Sequence, residues 1–188
     1  MWGIIYILVG MFVIYQAIPS KYVGTRNDHL IFNDISYVFP INIILGPISI
    51  IFLHMDNTIG FFVAELIITV LLATTLYIMI KITRSQLNKF EATVVHSAFS
   101  FYAGWCCVAT IVTGAFFLKS AGFDQNKRKD VNETNYALIM FWVAQLVFLI
   151  TTYKYTNFIF GFVWLWAAFF IKKQQNDEKF NSFYKSIG

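Results

Sequence analysis

The chain has 188 residues, of which 58% are hydrophobic, 19% aromatic and only 13% charged. A soluble domain carries about 25% charged residues, and a chain this short has too much surface to hide so many apolar side chains from water, so lipid is the expected solvent. The net charge of +4, from 14 basic and 10 acidic residues, lies between and after apolar runs rather than along a stripe with stacking aromatics; that excludes a nucleic-acid surface and suits anionic lipid headgroups.

A bilayer-spanning helix takes about 20 apolar residues, with a range near 17–25. The first such run is "WGIIYILVGMFVIYQAI", residues 2–18, closed by Pro19. It enters the apolar stretch with no basic leader or small-residue cleavage site, so it is expected to act as its own insertion signal. The second, residues 35–54, contains Pro40 and Pro47. Proline inside a helix removes a backbone hydrogen bond, so a bend is expected at Gly46–Pro47. The four-residue link "MDNT" forces an antiparallel hairpin with the third helix, residues 59–82. A polar stretch, "TRSQLNKFEAT", reads as the loop before the fourth helix, residues 94–118.

The longest loop, residues 119–135, leads to a fifth helix at 136–152 and a sixth at 158–171. The sixth is short for a span, and Tyr155, Thr156, Lys172 and Lys173 extend it by snorkelling. Residues 172–188 read as a polar tail at the membrane surface or in water. The expected architecture is all-α: a polytopic integral membrane bundle of about six transmembrane helices over residues 1–171. With six helices both termini share one side. That side carries eight lysines and arginines, in the 119–135 loop and after 171, against six on the other, a slight positive-inside bias. Lys119, Lys172 and Lys173 are the expected headgroup contacts. Tyr and Trp near helix ends form an interfacial belt.

Few residues carry chemistry. Glu65 is the one acidic residue well inside a span, about 9 Å into its helix, and an intramembrane carboxylate is a candidate for a proton relay, an ion site or a hydrogen-bonded structural group. His54 and His96 sit at helix ends and His29 in a loop, with no metal-ligand spacing; no metal site is expected. Cys106 and Cys107 are adjacent on one helix, about 100° apart, which is poor disulfide geometry, so they read as small packing residues. There is no nucleophile elbow, metalloprotease motif, phosphate loop or paired-carboxylate site. The expectation is a non-catalytic protein.

The segments "WGIIYILVGMFVIYQAI", "ISYVFPINIILGPISIIFL" and "FYAGWCCVAT" resemble helices of the tryptophan-rich sensory protein (translocator-protein) family. Tyr102, Trp105 and Ala109 keep the spacing of that family's P-Y-x-x-W-x-x-x-A run. The resemblance covers residues 1–118 and is closest to a eukaryotic branch with two further helices. It implies an all-helical membrane bundle, ligands of porphyrin or sterol type, and for animal members a mitochondrial address. Carried over by position, the ligand-binding residues are Trp2, Tyr6, Asn42, Tyr102 and Trp105. The sequence opens at the W-x-x-x-Y helix, so the family's preceding helix and Pro-rich loop have no counterpart in it. Ile48 stands where the family has Trp before Ser49, and Thr113 where it has Asn.

Those departures shift the expected role toward a supernumerary subunit of a larger complex, in the mitochondrial inner membrane. Gly104, Ala109, Thr113 and Gly114 would allow close approach of a neighbouring subunit. Membrane lipids and other membrane subunits are the expected partners, and bound phospholipid or cardiolipin the expected non-protein component, with no cofactor. The alternative is a binder or sensor of porphyrin, sterol or another lipid, with Tyr102 and Trp105 as stacking walls. A transporter resting on Glu65 is the third reading.

Overall fold

The computed structural model describes residues 2–24, 26–121 and 133–187, and the side chains of Trp2, Ser20, residues 133–140 and residues 174–187 lie outside that description. Among the described residues six α-helices follow one another: α1 Trp2–Ala17, α2 Val38–Leu53, α3 Thr58–Arg84, α4 His96–Ser120, α5 Glu133–Tyr155 and α6 Phe158–Ile187. Two π-helical segments, Leu30–Ile35 and Glu91–Val95, lead into α2 and α4. α3 and the run Glu91–Ser120 are long and apolar enough to cross a membrane, and the apolar helices Gly3–Ala17 and Val38–Leu53 are shorter.

Four helical starts have a common local cause. Asn27, Asn57, Asn88 and Asn157 each accept, through Oδ1, the backbone N–H three residues on: those of Leu30, Gly60, Glu91 and Phe160. Asparagine is a strong N-cap because it satisfies one of the N–H groups that a helix start leaves orphaned. At the other end of α1, the Arg26 guanidinium donates to the carbonyls of Tyr15, Gln16 and Ile18, and its Nε pairs with Asp28 at 2.5 Å. It thereby satisfies the carbonyls that α1 exposes at its end.

Two expected boundaries are corrected. The second helix starts at Val38 rather than Ile35, after a break at Ser36, whose φ is +21°. Pro40 therefore falls in the first turn of α2, where its missing N–H costs nothing, and only Pro47 is interior. The sixth helix does not stop at Ile171 but runs to Ile187. Residues 172–187 hold neither Gly nor Pro, so nothing in them breaks the helix once α6 leaves the apolar layer.

α3 is the central element. It packs against α2 on one side and α4 on the other; α4 in turn meets α1, α5 and α6, and α5 pairs with α6. The tight α2–α3 hairpin needs a glycine: a Cβ on Gly60 would lie 2.6 Å from the Phe52 carbonyl oxygen. Gly104 plays the same part between α4 and α6, where a Cβ would come within 3.0 Å of Val163. Phe12, Phe39 and Phe99, from α1, α2 and α4, meet edge to face with centroids 5.2, 5.2 and 5.7 Å apart. A second cluster joins α5 and α6 through Phe148, Phe160 and Trp164. Inside lipid, where burial gives helices no hydrophobic advantage, such packing and ring geometry hold a bundle together.

The outward faces remain apolar. Ile7, Ile14, Leu66, Trp142, Leu149, Phe162 and Leu165 are all exposed. Apolar surface this extensive marks contact with a non-aqueous medium.

Candidate functional site

Beyond the Phe12–Phe39–Phe99 cluster, the backbone of α2 stays apart from those of α1 and α4. The gap between them, floored by α3, is a cavity of about 740 Å³. α1 contributes Ile5, Tyr6 and Val9; α2 contributes residues from Asn42 to Leu53; α3 adds Ile68 and Leu71; α4 lines it from Tyr102 to Phe116. The α2 stretch alone spans about 16 Å at 1.5 Å per residue. The volume falls within the range of about 300–1,000 Å³ typical of small-molecule pockets.

Four of the five residues assigned from the family spacing converge here: Tyr6, Asn42, Tyr102 and Trp105. The fifth, Trp2, lies outside the described side chains. Ala109, the third residue of the P-Y-x-x-W-x-x-x-A spacing, also lines the wall, as does Thr113, which stands where the family has Asn. Losing the family's Trp at position 48 and its Asn at position 113 has not closed the cavity.

Its polarity is graded. Asn42 is fully buried; its Nδ2 donates to the Val38 carbonyl at 3.0 Å and its Oδ1 accepts from the Thr74 hydroxyl at 2.9 Å. Ser49 donates to the Gly46 carbonyl at 2.6 Å and Thr113 to the Ala109 carbonyl at 2.9 Å. These groups are occupied within their own helices or with a neighbour. The remaining wall is mostly aliphatic and aromatic, and no Lys, Arg, His, Asp or Glu lines the cavity among the described residues. Five of the lining residues, Tyr6, Ile43, Ile50, Val112 and Phe116, are also exposed on the outer surface of the bundle.

Trp105 has a second contact besides the cavity. Its ring meets Trp166 of α6 edge-on at 5.9 Å. Cys106 and Cys107, both free and buried, point to different cores: Cys106 to the α1–α2–α4 cluster beside the cavity, and Cys107 to the α5–α6 cluster. That is the 100° divergence of helix neighbours.

Glu65 stands apart from the cavity. Its carboxylate lies against α4 at Gly114, where a Cβ would sit 3.5 Å from Oε1, and Thr69, one turn along α3, is its hydrogen-bonding neighbour. No charged side chain among the described residues pairs with it. His54 is held by the Ile50 carbonyl at 2.8 Å and His96 approaches the Thr83 hydroxyl at 3.5 Å. No group of three metal-ligating side chains occurs among the described residues. Lys119, Lys172 and Lys173 are exposed, Lys119 in the last turn of α4.

One buried structural residue is not evident from the sequence. Glu91, assigned to a polar loop, is 1% exposed. Its Oε1 accepts from the Tyr15 hydroxyl at 3.1 Å and the Asn27 amide at 2.8 Å, and its Oε2 accepts from the Asn88 amide at 3.0 Å. With Glu91 N–H donating to Asn88 Oδ1 at 2.8 Å, Asn88 and Glu91 form a reciprocal capping box. The signal was present as "NKFE" before an apolar run. This knot ties the end of α1, one wall of the cavity, to both loops on that side.

An all-helical membrane bundle with a lateral apolar cavity is the class that fold and site define. The chain belongs to the TSPO-like protein family, whose model matches residues 1–187. The relationship thus extends through α5 and α6, well past residue 118, where the helix-by-helix resemblance stops. No curated protein and no solved structure matches the sequence.

Proposed function

We propose that the protein binds an uncharged, lipid-like molecule taken laterally from the bilayer into the cavity between α1, α2, α3 and α4. The observation that carries this reading is a cavity of about 740 Å³ lined by Tyr6, Asn42, Tyr102 and Trp105, with no charged side chain among the described residues and with exposed lining residues that are mostly apolar. The same chemistry separates the ligand types. A porphyrin brings ionised carboxylates, and burying them without a cationic partner is costly. A sterol or a comparable neutral lipid imposes no such penalty.

Service as an accessory subunit of a larger complex, in mitochondria or elsewhere, draws no support from the small residues of α4. Gly104 packs on Val163 of α6, Gly114 faces Glu65 of α3, and Ala109 and Thr113 line the cavity. Each is used inside the chain. For a carrier function resting on Glu65, no charged side chain pairs with it among the described residues. The test is energy transfer from tryptophan to the fluorescent sterol dehydroergosterol in lipid nanodiscs. Saturable transfer in the wild type that Ala109→Phe abolishes, with helicity retained, supports the reading. Transfer that is absent, or equal in the variant, sinks it.

A further inference from the structure

Three connections meet at one end of the bundle. The end of α1 is tied to the α3–α4 connection by Tyr15 on Glu91 and Asn27 on Gln86, and Asn157, between α5 and α6, bonds Ser100 in the second turn of α4. The acids of this end are Asp28, Asp34 and Glu91, and each is spent inside the chain. Asp28 pairs with Arg26 at 2.5 Å and Asp34 with Lys81 at 2.7 Å, with His29 at 3.6 Å. Glu91 is buried and accepts from the Tyr15 hydroxyl and two backbone amides. Lys21, Arg84, Lys89 and Lys154 of the same end are exposed and pair with no carboxylate among the described residues. The opposite end lacks this separation of charge. Asp56 is exposed there and joins no ion pair among the described residues, and Asp177 and Glu178 follow Lys172 and Lys173 in sequence.

We propose that this end is a docking surface for the phosphates of anionic phospholipids, carried by Lys21, Arg84, Lys89 and Lys154, and that the cavity lies in the half of the bilayer away from it. Cations near a membrane surface attract anionic headgroups, and here no acid of the same end is left to offset them. The aromatic residues select a lipid surface over an acidic soluble partner. Tyr22, Tyr37 and Tyr153 are exposed at this end, where tyrosine sits at headgroup level. Lys21 lies over the Tyr22 ring at 4.9 Å and Lys154 over the Tyr155 ring at 5.7 Å, which places their charges beside that belt. The cavity takes its α1 wall from Ile5, Tyr6 and Val9, in the first half of that helix, and its α3 wall from Ile68 and Leu71, in the first half of the other. Both halves lie toward the opposite end. The proposal is independent of what the cavity holds.

The experiment extracts the full chain from vesicles of equal parts phosphatidylcholine and phosphatidylglycerol and identifies the retained lipids by native mass spectrometry. The wild type is expected to enrich phosphatidylglycerol by about tenfold, from several cations each worth a few-fold at the surface. The combined variant Lys21→Gln, Arg84→Gln, Lys89→Gln and Lys154→Gln is expected to return to the bulk ratio. The charge-keeping variant Lys21→Arg, Arg84→Lys, Lys89→Arg and Lys154→Arg is expected to keep the enrichment, as is Lys119→Gln with Lys172→Gln and Lys173→Gln. High salt before extraction should lower the wild-type enrichment, because exposed charges are screened, and this arm needs no variant to fold. Equal retention of the two lipids by the wild type overturns the proposal and leaves these cations to an acidic protein surface. An enrichment that ignores salt, survives the four neutralisations or falls as far in the Lys119, Lys172 and Lys173 variant also overturns it.

Discussion

The carboxylate of Glu91 accepts a hydrogen bond from the hydroxyl of Tyr15, 76 residues earlier in the chain and 3.1 Å away. Two backbone amides, of Asn27 and Asn88, converge on the same carboxylate, and Asn88 Nδ2 donates to the Tyr15 oxygen at 3.0 Å. This buried node fixes where α1 ends. Glu91→Leu would strand three donors and is expected to cost about 3 kcal/mol or more, whereas Glu91→Gln keeps an acceptor oxygen and should cost about 1 kcal/mol. Thermal unfolding in micelles reads the difference; equal midpoints for the two variants would show that the node is not structural.

Glycines divide by what a methyl group would meet. Gly60→Ala places a Cβ 2.6 Å from the Phe52 oxygen and 2.9 Å from Met55. The α2–α3 hairpin must then open, and the variant should be clearly destabilised. Gly10→Ala in α1 meets nothing within 4 Å and should be neutral or stabilising by about 0.5–1 kcal/mol, the helix preference of alanine over glycine. The same unfolding measurement ranks the pair, and a reversed order would contradict the packing described.

Asn157 caps α6 and also joins it to α4. It is 1% exposed, accepts from Phe160 N–H at 3.1 Å and donates to the Ser100 hydroxyl at 2.7 Å. Asn157→Ala should cost about 1–2 kcal/mol for the lost cap, and more where Ser100 is left unpaired. Asn157→Asp keeps the capping oxygen but loses the donor to Ser100. It should fall between wild type and alanine in thermal midpoint.

The internal use of the small residues on α4 has a consequence for assembly. Solubilised mildly and run on a native gel, the protein should migrate as a small particle rather than within a large complex. Co-migration with a megadalton assembly, identified by mass spectrometry of the band, would favour the accessory-subunit reading instead.

Much of the fold was legible because lipid imposes a simple rule: long apolar runs must be helices. The hairpin at "MDNT" and the divergence of Cys106 and Cys107 followed from chain length and helix geometry. The errors arose where local chemistry overrides hydropathy. Pro40 looked like an interior kink because hydropathy cannot show that the helix restarts at Val38. Residues 172–187 looked like a tail because they are polar, although polarity does not break a helix. Glu91 looked like a loop residue because its partners, Tyr15 and Asn27, come from distant parts of the chain. At the site, the family spacing found Tyr102, Trp105 and Asn42, but the missing Trp and Asn of the family suggested a lost pocket. The cavity persists because it is made by the spacing of α1, α2 and α4 rather than by any one side chain.

The most direct test of the account is to crosslink a photoactivatable neutral sterol to the protein in nanodiscs and map the adducts by peptide mass spectrometry. The account predicts labelling concentrated on the cavity segments of α1, α2 and α4, around Tyr6, Gly46 and Val112, and its loss in Ala109→Phe. Adducts confined to the outer faces of α5 and α6, around Trp142 and Phe162, and unaffected by Ala109→Phe, would contradict it.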